Sequence, residues 1–219
     1  MSTEPDENRL RITEIFFSLQ GEASTVGIPT IFIRLTGCPL RCQYCDTEYA
    51  FQGGSWQSLE QVLSSIQQYP TRYVTVTGGE PLAQKNCLVL LKALCDKQYI
   101  VSLETSGAMD VCTVDPRVGK VMDVKTPGSG ESEKNLQQNI ACLTDKDQIK
   151  FVICDRQDYE WSKQFLENIK LPAASEILFS ASANQLAADK LADWILEDGL
   201  AVRLQIQLHK YLWGDSQGR

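Results

Sequence analysis

The stretch Gly-Cys-Pro-Leu-Arg-Cys-Gln-Tyr-Cys-Asp-Thr, residues 37–47, places three of the chain's eight cysteines at C-x3-C-x2-C spacing. Thiolates this close along a loop can converge on one soft-metal site. A structural zinc site or an ordinary four-iron cluster is normally held by four protein ligands. Three local ligands therefore indicate a cluster with one open coordination position, or a zinc site closed by a distant residue such as His209, the single histidine. Three unrelated buried thiols are a further alternative, but chance rarely groups cysteines so tightly.

The composition is that of an ordinary globular protein. The chain has 219 residues, 43% hydrophobic and 22% charged, which suits one domain with a sizeable core. A formal charge of −7 argues against a nucleic-acid backbone as the main partner. The polar start, residues 1–9, lacks the apolar core of a signal peptide, and no run of about 18 apolar residues predicts a membrane span. We therefore expect a single cytoplasmic domain over residues 1–219, with flexible ends at about 1–8 and 214–219 and no nucleic-acid or membrane partner.

The other five cysteines are scattered among apolar neighbours, at Cys87, Cys95, Cys112, Cys142 and Cys154. This pattern is typical of reduced thiols that serve as small hydrophobic side chains in a cytosolic protein. An even number of cysteines leaves disulfides possible on arithmetic alone. We expect reduced thiols.

Strand-like and helix-like segments alternate along most of the chain, which predicts βαβ units and a mainly parallel sheet. Strands are predicted at residues 10–16, 30–35, 73–77, 100–103, 121–124, 149–153, 177–180 and 201–206. Ser58 and Gln61 have the spacing of a capping box, which predicts a helix that ends before Pro70. Further helices are predicted at residues 88–94, 134–142, 158–169 and 183–196.

Polar groups follow several of these strands directly, and the carboxyl ends of parallel strands share one edge of a sheet. The groups lie at residues 77–81, 104–107, 123–127 and 180–182, besides the cysteine loop. The sequence therefore predicts one site on that edge. Gly78 and Gly79 would let the backbone approach a ligand closely, and Glu80 is expected to accept a hydrogen bond from an ammonium group. Taken alone, Thr-Gly-Gly-Glu-Pro is typical of a tight strand-to-helix turn.

A C-x3-C-x2-C loop followed by a strand-terminal Gly-Gly-Glu resembles the radical S-adenosylmethionine (SAM) enzymes. In that family the three cysteines hold a 4Fe–4S cluster, and the open iron chelates the amino and carboxylate groups of SAM. An electron cleaves SAM to methionine and a 5′-deoxyadenosyl radical, which abstracts hydrogen from the substrate. The resemblance implies an α/β fold, a trimmed, partial (β/α) barrel with a mainly parallel sheet.

Finer features resemble the 7-carboxy-7-deazaguanine synthase family within these enzymes. They are Ser-Leu-Gln-Gly-Glu at residues 18–22, Arg34, Cys-Asp-Thr at 45–47 and Leu-His-Lys at 208–210. The resemblance implies a lyase that contracts the ring of 6-carboxy-5,6,7,8-tetrahydropterin to 7-carboxy-7-deazaguanine with release of ammonia, a step towards queuosine and related deazapurines. It also implies a homodimer, Mg²⁺, and an external electron donor of the flavodoxin or ferredoxin type.

The same resemblance implies a set of site residues, with no catalytic residue beyond the cluster and the cofactor. The cluster ligands are Cys38, Cys42 and Cys45, and Thr47 binds Mg²⁺. The SAM contacts are Tyr44, Cys45, Asp46, Gly79, Ser106, Asp123, Val124 and Lys125. The pterin contacts are Leu19, Gln20, Gly21, Glu22, Arg34, Thr77 and His209. These roles suit the chemistry, because glutamine and glutamate can read a pterin edge, a guanidinium suits a carboxylate, and Mg²⁺ prefers oxygen ligands.

Alternatives remain open at this level. A glycyl-radical-type activating enzyme would act on a partner protein, and a non-enzymatic zinc module would hold no iron. Arg34 could form a surface ion pair, although a charge within Ile-Phe-Ile-Arg-Leu is costly unless it is matched. His209 could simply cap a strand end, and Thr47 and Thr77 rest on the resemblance alone.

Overall fold

One mixed sheet of nine strands organises the computed structural model, which describes residues 8–218. Residues 1–7 and Arg219, part of the predicted flexible ends, lie outside the described residues. The strands are β1 Arg9–Leu19, β2 Pro29–Leu35, β3 Ser55–Ser58, β4 Tyr73–Gly78, β5 Ile100–Thr105, β6 Gly119–Asp123, β7 Gln148–Ile153, β8 Glu176–Ala181 and β9 Arg203–Gln205. That residues 1–219 form a single domain stays a prediction.

The sheet is parallel except at one edge. Its order is β3-β1-β2-β4-β5-β6-β7-β8-β9, and every neighbouring pair from β2 to β9 is parallel. The first strand, β1, runs antiparallel to both β2 and β3. The prediction of a mainly parallel α/β fold is therefore confirmed, and the carboxyl ends of seven strands share one edge.

In the described part of the chain, five α-helices accompany the strands, namely α1 Leu59–Ile66, α2 Cys87–Asp96, α3 Arg156–Glu167, α4 Ala188–Asp198 and α5 Leu208–Trp213. The predicted capping box is present, since Ser58 Oγ accepts from Gln61 N and the Gln61 side chain accepts from Ser58 N. The helix predicted at 134–142 is instead a 3₁₀ helix at Gln137–Cys142, and α4 begins at Ala188 rather than at residue 183. The strand β3 and the short helix α5 were not predicted, because tertiary pairing rather than periodicity defines them.

Alternation along the strands separates the core from the site. In β2, the side chains of Ile31, Ile33 and Leu35 are fully buried in the core, whereas Phe32 and Arg34 line a cavity on the other face. In β4, Val74 and Val76 likewise belong to the core, and Thr75 and Thr77 line the cavity. Because successive strand residues point to opposite faces, one face of the sheet builds the core and the other carries polar groups.

The cysteines outside the metal loop are not all reduced. A disulfide joins Cys112 to Cys142, with their Cα atoms 5.1 Å apart, so the expectation of five reduced thiols is wrong for this pair. Buried Asn139 brings the two segments together, because its side-chain nitrogen donates to Gly107 O and Met109 O. The residues lie 30 positions apart, and only the folded chain makes them neighbours. The other three, Cys87, Cys95 and Cys154, are free.

None of the helices between residues 8 and 218 combines the length and the apolar character needed to cross a membrane.

Candidate active site

A cavity of about 280 Å³ opens at the carboxyl ends of the parallel strands. All the predicted site residues except Val124 line it. They are Leu19, Gln20, Gly21, Glu22, Arg34, Cys38, Cys42, Tyr44, Cys45, Asp46, Thr47, Thr77, Gly79, Ser106, Asp123, Lys125 and His209. The structure thus brings together groups from both ends of the chain. The predicted residues thus share one cavity on this edge of the sheet, and their binding roles stay a prediction.

The cysteine loop is held by its own backbone and by Arg41. Gly37 has φ +101°, a conformation that favours glycine, and its N–H donates to Ala50 O over 2.8 Å. The Arg41 guanidinium donates to Cys38 O over 2.8 Å and lies 4.3 Å from the centre of the Phe51 ring. These contacts fix the loop so that the three thiols line the cavity.

Burial raises the pKa of all three thiols, and that of Cys42 to about 11. At Cys42 the Lys125 ammonium opposes this rise and the carboxylate of Asp123 adds to it. Binding to a metal would therefore release protons from the thiols. Among the described residues, no group of three Cys, His, Asp or Glu side chains is arranged to hold a single metal ion. The thiolates of an iron–sulfur cluster bind different iron atoms, so the half-buried donor set suits a cluster.

The Gly-Gly turn after β4 packs directly on this loop. A Cβ at Gly79 would lie 2.5 Å from Gly37 O and 2.7 Å from Cys38 Cβ, closer than atoms can approach. Two backbone hydrogen bonds hold the contact, from Gly79 N to Leu35 O over 3.2 Å and from Glu80 N to Gly37 O over 2.8 Å. Only glycine fits at position 79.

Glu80 does not play the predicted role. Its carboxylate is fully buried and does not line the cavity. It accepts hydrogen bonds from Leu82 N, the Thr105 hydroxyl, and both the backbone N–H and the hydroxyl of Ser106. The expectation that Glu80 accepts from a ligand ammonium is therefore wrong. Glu80 instead fixes Ser106, which does line the cavity.

Two buried polar atoms beside the predicted SAM contacts have no partner within the described chain. The Lys125 Nζ lies 2.9 Å from Asp123 Oδ2, which leaves Asp123 Oδ1 unpaired. The hydroxyl of Tyr44 is also buried without a hydrogen bond, and Lys125 Nζ lies 5.7 Å from its ring. Buried polar atoms are normally paired, so these positions suit a polar ligand. Val124 faces the core instead, because it alternates with Asp123 and Lys125 along the chain.

Gln20 lines the cavity, but its amide is used within the protein. Its Nε2 donates to Thr75 Oγ1 over 3.0 Å, and its Oε1 accepts from Gly21 N over 2.9 Å. Thr75 Oγ1 in turn lies 2.8 Å from Ser102 Oγ. The side chain therefore shapes the loop that carries Gly21 and Glu22.

Arg34 and His209 approach the cavity from opposite ends of the chain. Arg34 Nε pairs with Glu14 Oε1 over 2.7 Å, and that oxygen also accepts from the Tyr49 hydroxyl over 2.8 Å. His209 lies on α5, and a Cβ at Gly21 would come within 2.1 Å of its Nδ1, so the ring packs against the bare backbone of Gly21. Burial lowers the pKa of His209, which favours the neutral ring. The alternative role as a strand cap is wrong.

The residues after Cys45 are tied to α5. Asp46 accepts from the Thr47 hydroxyl over 2.8 Å, and it lies 3.1 Å from both Lys210 Nζ and Gln207 Nε2. Burial raises the pKa of Asp46, but the Lys210 ammonium and these hydrogen bonds outweigh it and hold the pKa well below the ordinary value. Thr47 and Asp46 together offer adjacent oxygen atoms, which are the ligands that Mg²⁺ prefers.

Two further charged residues line the cavity, Glu104 and Lys150. From the sequence, Glu104 was placed among the polar groups at this edge of the sheet without a role, and Lys150 was missed. Both belong to predicted strands or their ends, and the signal was a lysine within Ile-Lys-Phe-Val-Ile at residues 149–153. A charge in such a strand is costly unless it is matched. The cavity is also lined by Phe16, Phe32, Thr75, Thr105, residues 180–183, Gln207 and Lys210.

A partial parallel barrel with three cysteines at the mouth defines the chain as a radical SAM protein, and a family model described as the Radical SAM superfamily matches residues 32–126. A 7-carboxy-7-deazaguanine synthase from Chlorobaculum tepidum is 40% identical over 100% of both chains. One from Koribacter versatilis is 43% identical over 93% of this chain and 97% of its own. The chain belongs to the 7-carboxy-7-deazaguanine synthase family.

A solved structure supports this assignment. The crystal structure of QueE from Escherichia coli is similar to this chain with a TM-score of 0.77 and 26% identity, over 92% of this chain and 95% of that one. The predicted partial radical SAM barrel is thereby confirmed. Membership in the family implies a 4Fe–4S cluster and SAM as cofactors, and it sets aside the activating-enzyme and zinc-module alternatives.

Proposed function

We propose that this chain is a 7-carboxy-7-deazaguanine synthase, which contracts the ring of 6-carboxy-5,6,7,8-tetrahydropterin with release of ammonia. The observation that carries the proposal is that Cys38, Cys42 and Cys45 share one cavity with Glu22, Arg34 and His209. The cysteines would hold the cluster, and the other three residues would hold the substrate beside it. The two sets line one cavity of about 280 Å³, close to the lower limit of about 300 Å³ for small-molecule sites.

The cluster and SAM, when bound, supply the oxidising radical that abstracts hydrogen from the substrate. The protein's own residues bind and orient the reactants and exclude water. SAM would be bound by Asp123, Lys125, Tyr44 and Ser106, which line the cavity. Asp123 and Tyr44 each carry a buried oxygen atom without a hydrogen-bond partner in the described chain. The backbone of Gly79 would lie against the cofactor, as it already lies against the cysteine loop.

On the substrate side, the guanidinium of Arg34 would bind the pterin carboxylate, since only its Nε is used in the pair with Glu14. The N–H groups of the pterin ring would donate to Glu22. Neutral His209 and Thr77 would line the same pocket. Gln20 and its neighbours Leu19 and Gly21 would act through the shape of their loop, because the Gln20 amide is already hydrogen-bonded.

The proposal also includes a metal ion, an electron donor, a cellular location and an oligomeric state. Mg²⁺ would bind at Thr47 together with a substrate oxygen. An external flavodoxin- or ferredoxin-type protein would supply the electron, and the enzyme would work in the cytoplasm. It would be a homodimer, and the exposed apolar side chains of Leu204, Ile206, Tyr211 and Leu212 offer a surface for the second copy.

The decisive experiment is anaerobic turnover of 6-carboxytetrahydropterin with SAM and a reductant. We expect 7-carboxy-7-deazaguanine and ammonia from the reconstituted protein, with a higher rate when Mg²⁺ is added. Cys45→Ala should lose iron and activity, whereas Cys95→Ala, a matched change outside the loop, should keep both. A protein with an intact cluster that cleaves SAM but makes no deazaguanine would overturn the proposal.

A further inference from the structure

Three charged side chains meet in the cavity away from the cysteine loop. Lys150 Nζ lies 2.8 Å from Glu22 Oε2 and 3.7 Å from Glu104 Oε2. Their side chains are only 11%, 15% and 17% exposed, respectively. Two largely buried carboxylates thus share one ammonium. Of the three, only Glu22 belongs to the predicted substrate contacts.

Glu104 is the member of this cluster whose hydrogen bonding is incomplete. Its Oε1 is buried and has no hydrogen-bond partner in the part of the chain that the structure describes. Its Oε2 is too far from Lys150 for a good hydrogen bond, since the nitrogen and oxygen are 3.7 Å apart. Leaving a buried acceptor unpaired is unfavourable, so native structures rarely retain one without a reason.

The position of Glu104 in β5 places its side chain at the wall of the cavity. Its neighbours Leu103 and Thr105 are buried, and Glu104 alternates with them and lines the cavity. The residue at the carboxyl end of the neighbouring strand β6, Asp123, lines the same wall and also carries an unpaired oxygen. The Glu104 side chain, with its unpaired oxygen, therefore lies in the wall of the space that a ligand would fill.

We propose that Glu104, which shares the Lys150 ammonium with Glu22, is a substrate-binding residue whose unpaired carboxylate oxygen accepts an N–H of the pterin ring. This inference rests on the proposed function. A pterin offers N–H donors on its pyrimidine ring and, when reduced, on its pyrazine ring as well. Paired with the ligand, the orphan oxygen gains the partner that the protein does not supply.

The pKa shifts of Glu104 and Lys150 are consistent with an unpaired acceptor at Glu104. Burial raises the pKa of Glu104 to about 7, with Lys150 opposing the rise and Glu22 adding to it. Burial also lowers the pKa of Lys150, but Glu22 and Glu104 outweigh it and hold that pKa well above its ordinary value. Lys150 thus stays charged, and a neutral N–H donor from the ligand can stabilise the Glu104 carboxylate.

The test measures binding of 6-carboxytetrahydropterin to the reconstituted, SAM-loaded enzyme under anaerobic conditions. Glu104→Gln should raise the Kd and the KM for the pterin by roughly tenfold or more, which corresponds to the loss of one charge-assisted hydrogen bond. Iron content and the slow cleavage of SAM without substrate should not change. Glu133→Gln, an exposed glutamate outside the cavity, is the matched control and should leave the Kd unaltered.

A second variant and a second ligand complete the test. If Glu104→Gln does not fold, Glu104→Asp shortens the side chain by one methylene and should also weaken binding. Oxidised 6-carboxypterin lacks the pyrazine N–H groups. A loss for both ligands supports contact with the pyrimidine edge, and a loss for the reduced ligand alone supports contact with the pyrazine edge.

The outcomes separate this inference from the proposed function. Wild-type enzyme that turns over the pterin, with a Glu104→Gln variant that binds it equally well, overturns the role of Glu104 alone. Wild-type enzyme that neither binds nor converts the pterin overturns both.

Discussion

Single residues determine how closely the loops around the cavity approach one another. Gly79 lies against the cysteine loop and Gly21 lies against the His209 ring, and neither position has room for a side chain. The first contact orders the cluster loop, and the second orders the predicted pterin pocket. Each glycine is therefore required by its neighbour and not by its own backbone conformation.

A Gly79→Ala substitution should displace the cysteine loop, because the added Cβ would lie 2.5 Å from Gly37 O, which is backbone and cannot move away cheaply. We expect a lower iron content after reconstitution and weaker SAM binding. Gly119→Ala is the matched control, since the nearest atom to its Cβ would be Val101 O at 3.8 Å. Equal iron content in the two variants would contradict this account of Gly79.

The carboxyl group of Glu104 should make the stability of the apoprotein depend on pH. Its folded pKa of about 7 lies above the ordinary value of 4.5 because burial disfavours the charged form. Its contribution to stability is therefore complete below about pH 4.5 and is lost as the pH rises through about 7. Between these values the free energy of unfolding of the wild type should fall relative to that of Glu104→Gln, by about 1–3 kcal/mol.

Urea unfolding of both apoproteins from pH 5 to pH 8 measures this difference. His209, whose pKa is lowered by burial, acts in the opposite sense but is common to both proteins and cancels. Parallel stability curves for the two proteins would show that Glu104 does not titrate in this range.

At the scale of secondary structure, the start of α1 is encoded locally. Ser58 and Gln61 form the reciprocal capping box, and Ser58→Ala should cost about 1 kcal/mol of stability because one backbone N–H loses its partner. Ser64→Ala, at an exposed position within the same helix, should be neutral or slightly stabilising. Chemical denaturation of the two variants measures the difference, and equal stabilities would contradict the capping role.

The strands β6 and β7 are joined at their amino ends by a buried ion pair. Lys120 Nζ lies 2.8 Å from Asp147 Oδ2, with side chains 3% and 0% exposed. Asp147 also accepts from the backbone N–H groups of Lys120 and Thr144. The pair therefore fixes the register of the two strands that carry Asp123 and Lys150 into the cavity.

Lys120→Met should destabilise the protein by about 3–5 kcal/mol, because it leaves the Asp147 carboxylate buried without its cation. Lys97→Met, at an exposed position after α2, should change the stability by less than about 0.5 kcal/mol. Thermal unfolding distinguishes the two, and similar midpoints would show that the ion pair adds little.

At the scale of the whole molecule, the disulfide links the segment after β5 to the 3₁₀ helix before β7. Reduction should lower the stability by about 3 kcal/mol, since the bond closes a long loop in the unfolded chain. The double variant Cys112→Ser/Cys142→Ser should be insensitive to reductant. Alkylation of the unfolded, unreduced apoprotein should label six cysteines, and labelling of all eight would contradict the bond.

The loop after β1 also depends on the whole molecule. Ala23 N donates to Gln205 Oε1 over 2.6 Å, Ser24 N donates to Gln148 Oε1 over 3.1 Å, and Glu22 pairs with Lys150. These partners lie on β7 and β9, which are in the half of the sheet away from β1 and are distant from the loop in sequence. The loop is thus held against strands in the other half of the sheet, which places Gly21 and Glu22 at the cavity.

Much of the fold and the outline of the site could be predicted from amino-acid order. The cysteine spacing, the Gly-Gly turn, the capping box and the alternation of strands and helices act over short stretches, so local chemistry is sufficient to identify them. The common edge of the strands then followed from the rule that parallel strands end on the same side.

Tertiary structure alone decided which polar groups remain free for a ligand. Glu80 and Gln20 were predicted to bind ligands, but both side chains form hydrogen bonds with residues distant in sequence. Glu80 accepts from Ser106 N, and Gln20 donates to Thr75. Glu104 was predicted only as part of a polar group after a strand, and Lys150 only as a strand residue, yet the side chains of both meet Glu22 in the cavity. The disulfide between Cys112 and Cys142 likewise depends on the folded chain. A hydrogen bond between residues far apart in the chain has no local pattern, because it depends on where the whole sheet places both partners.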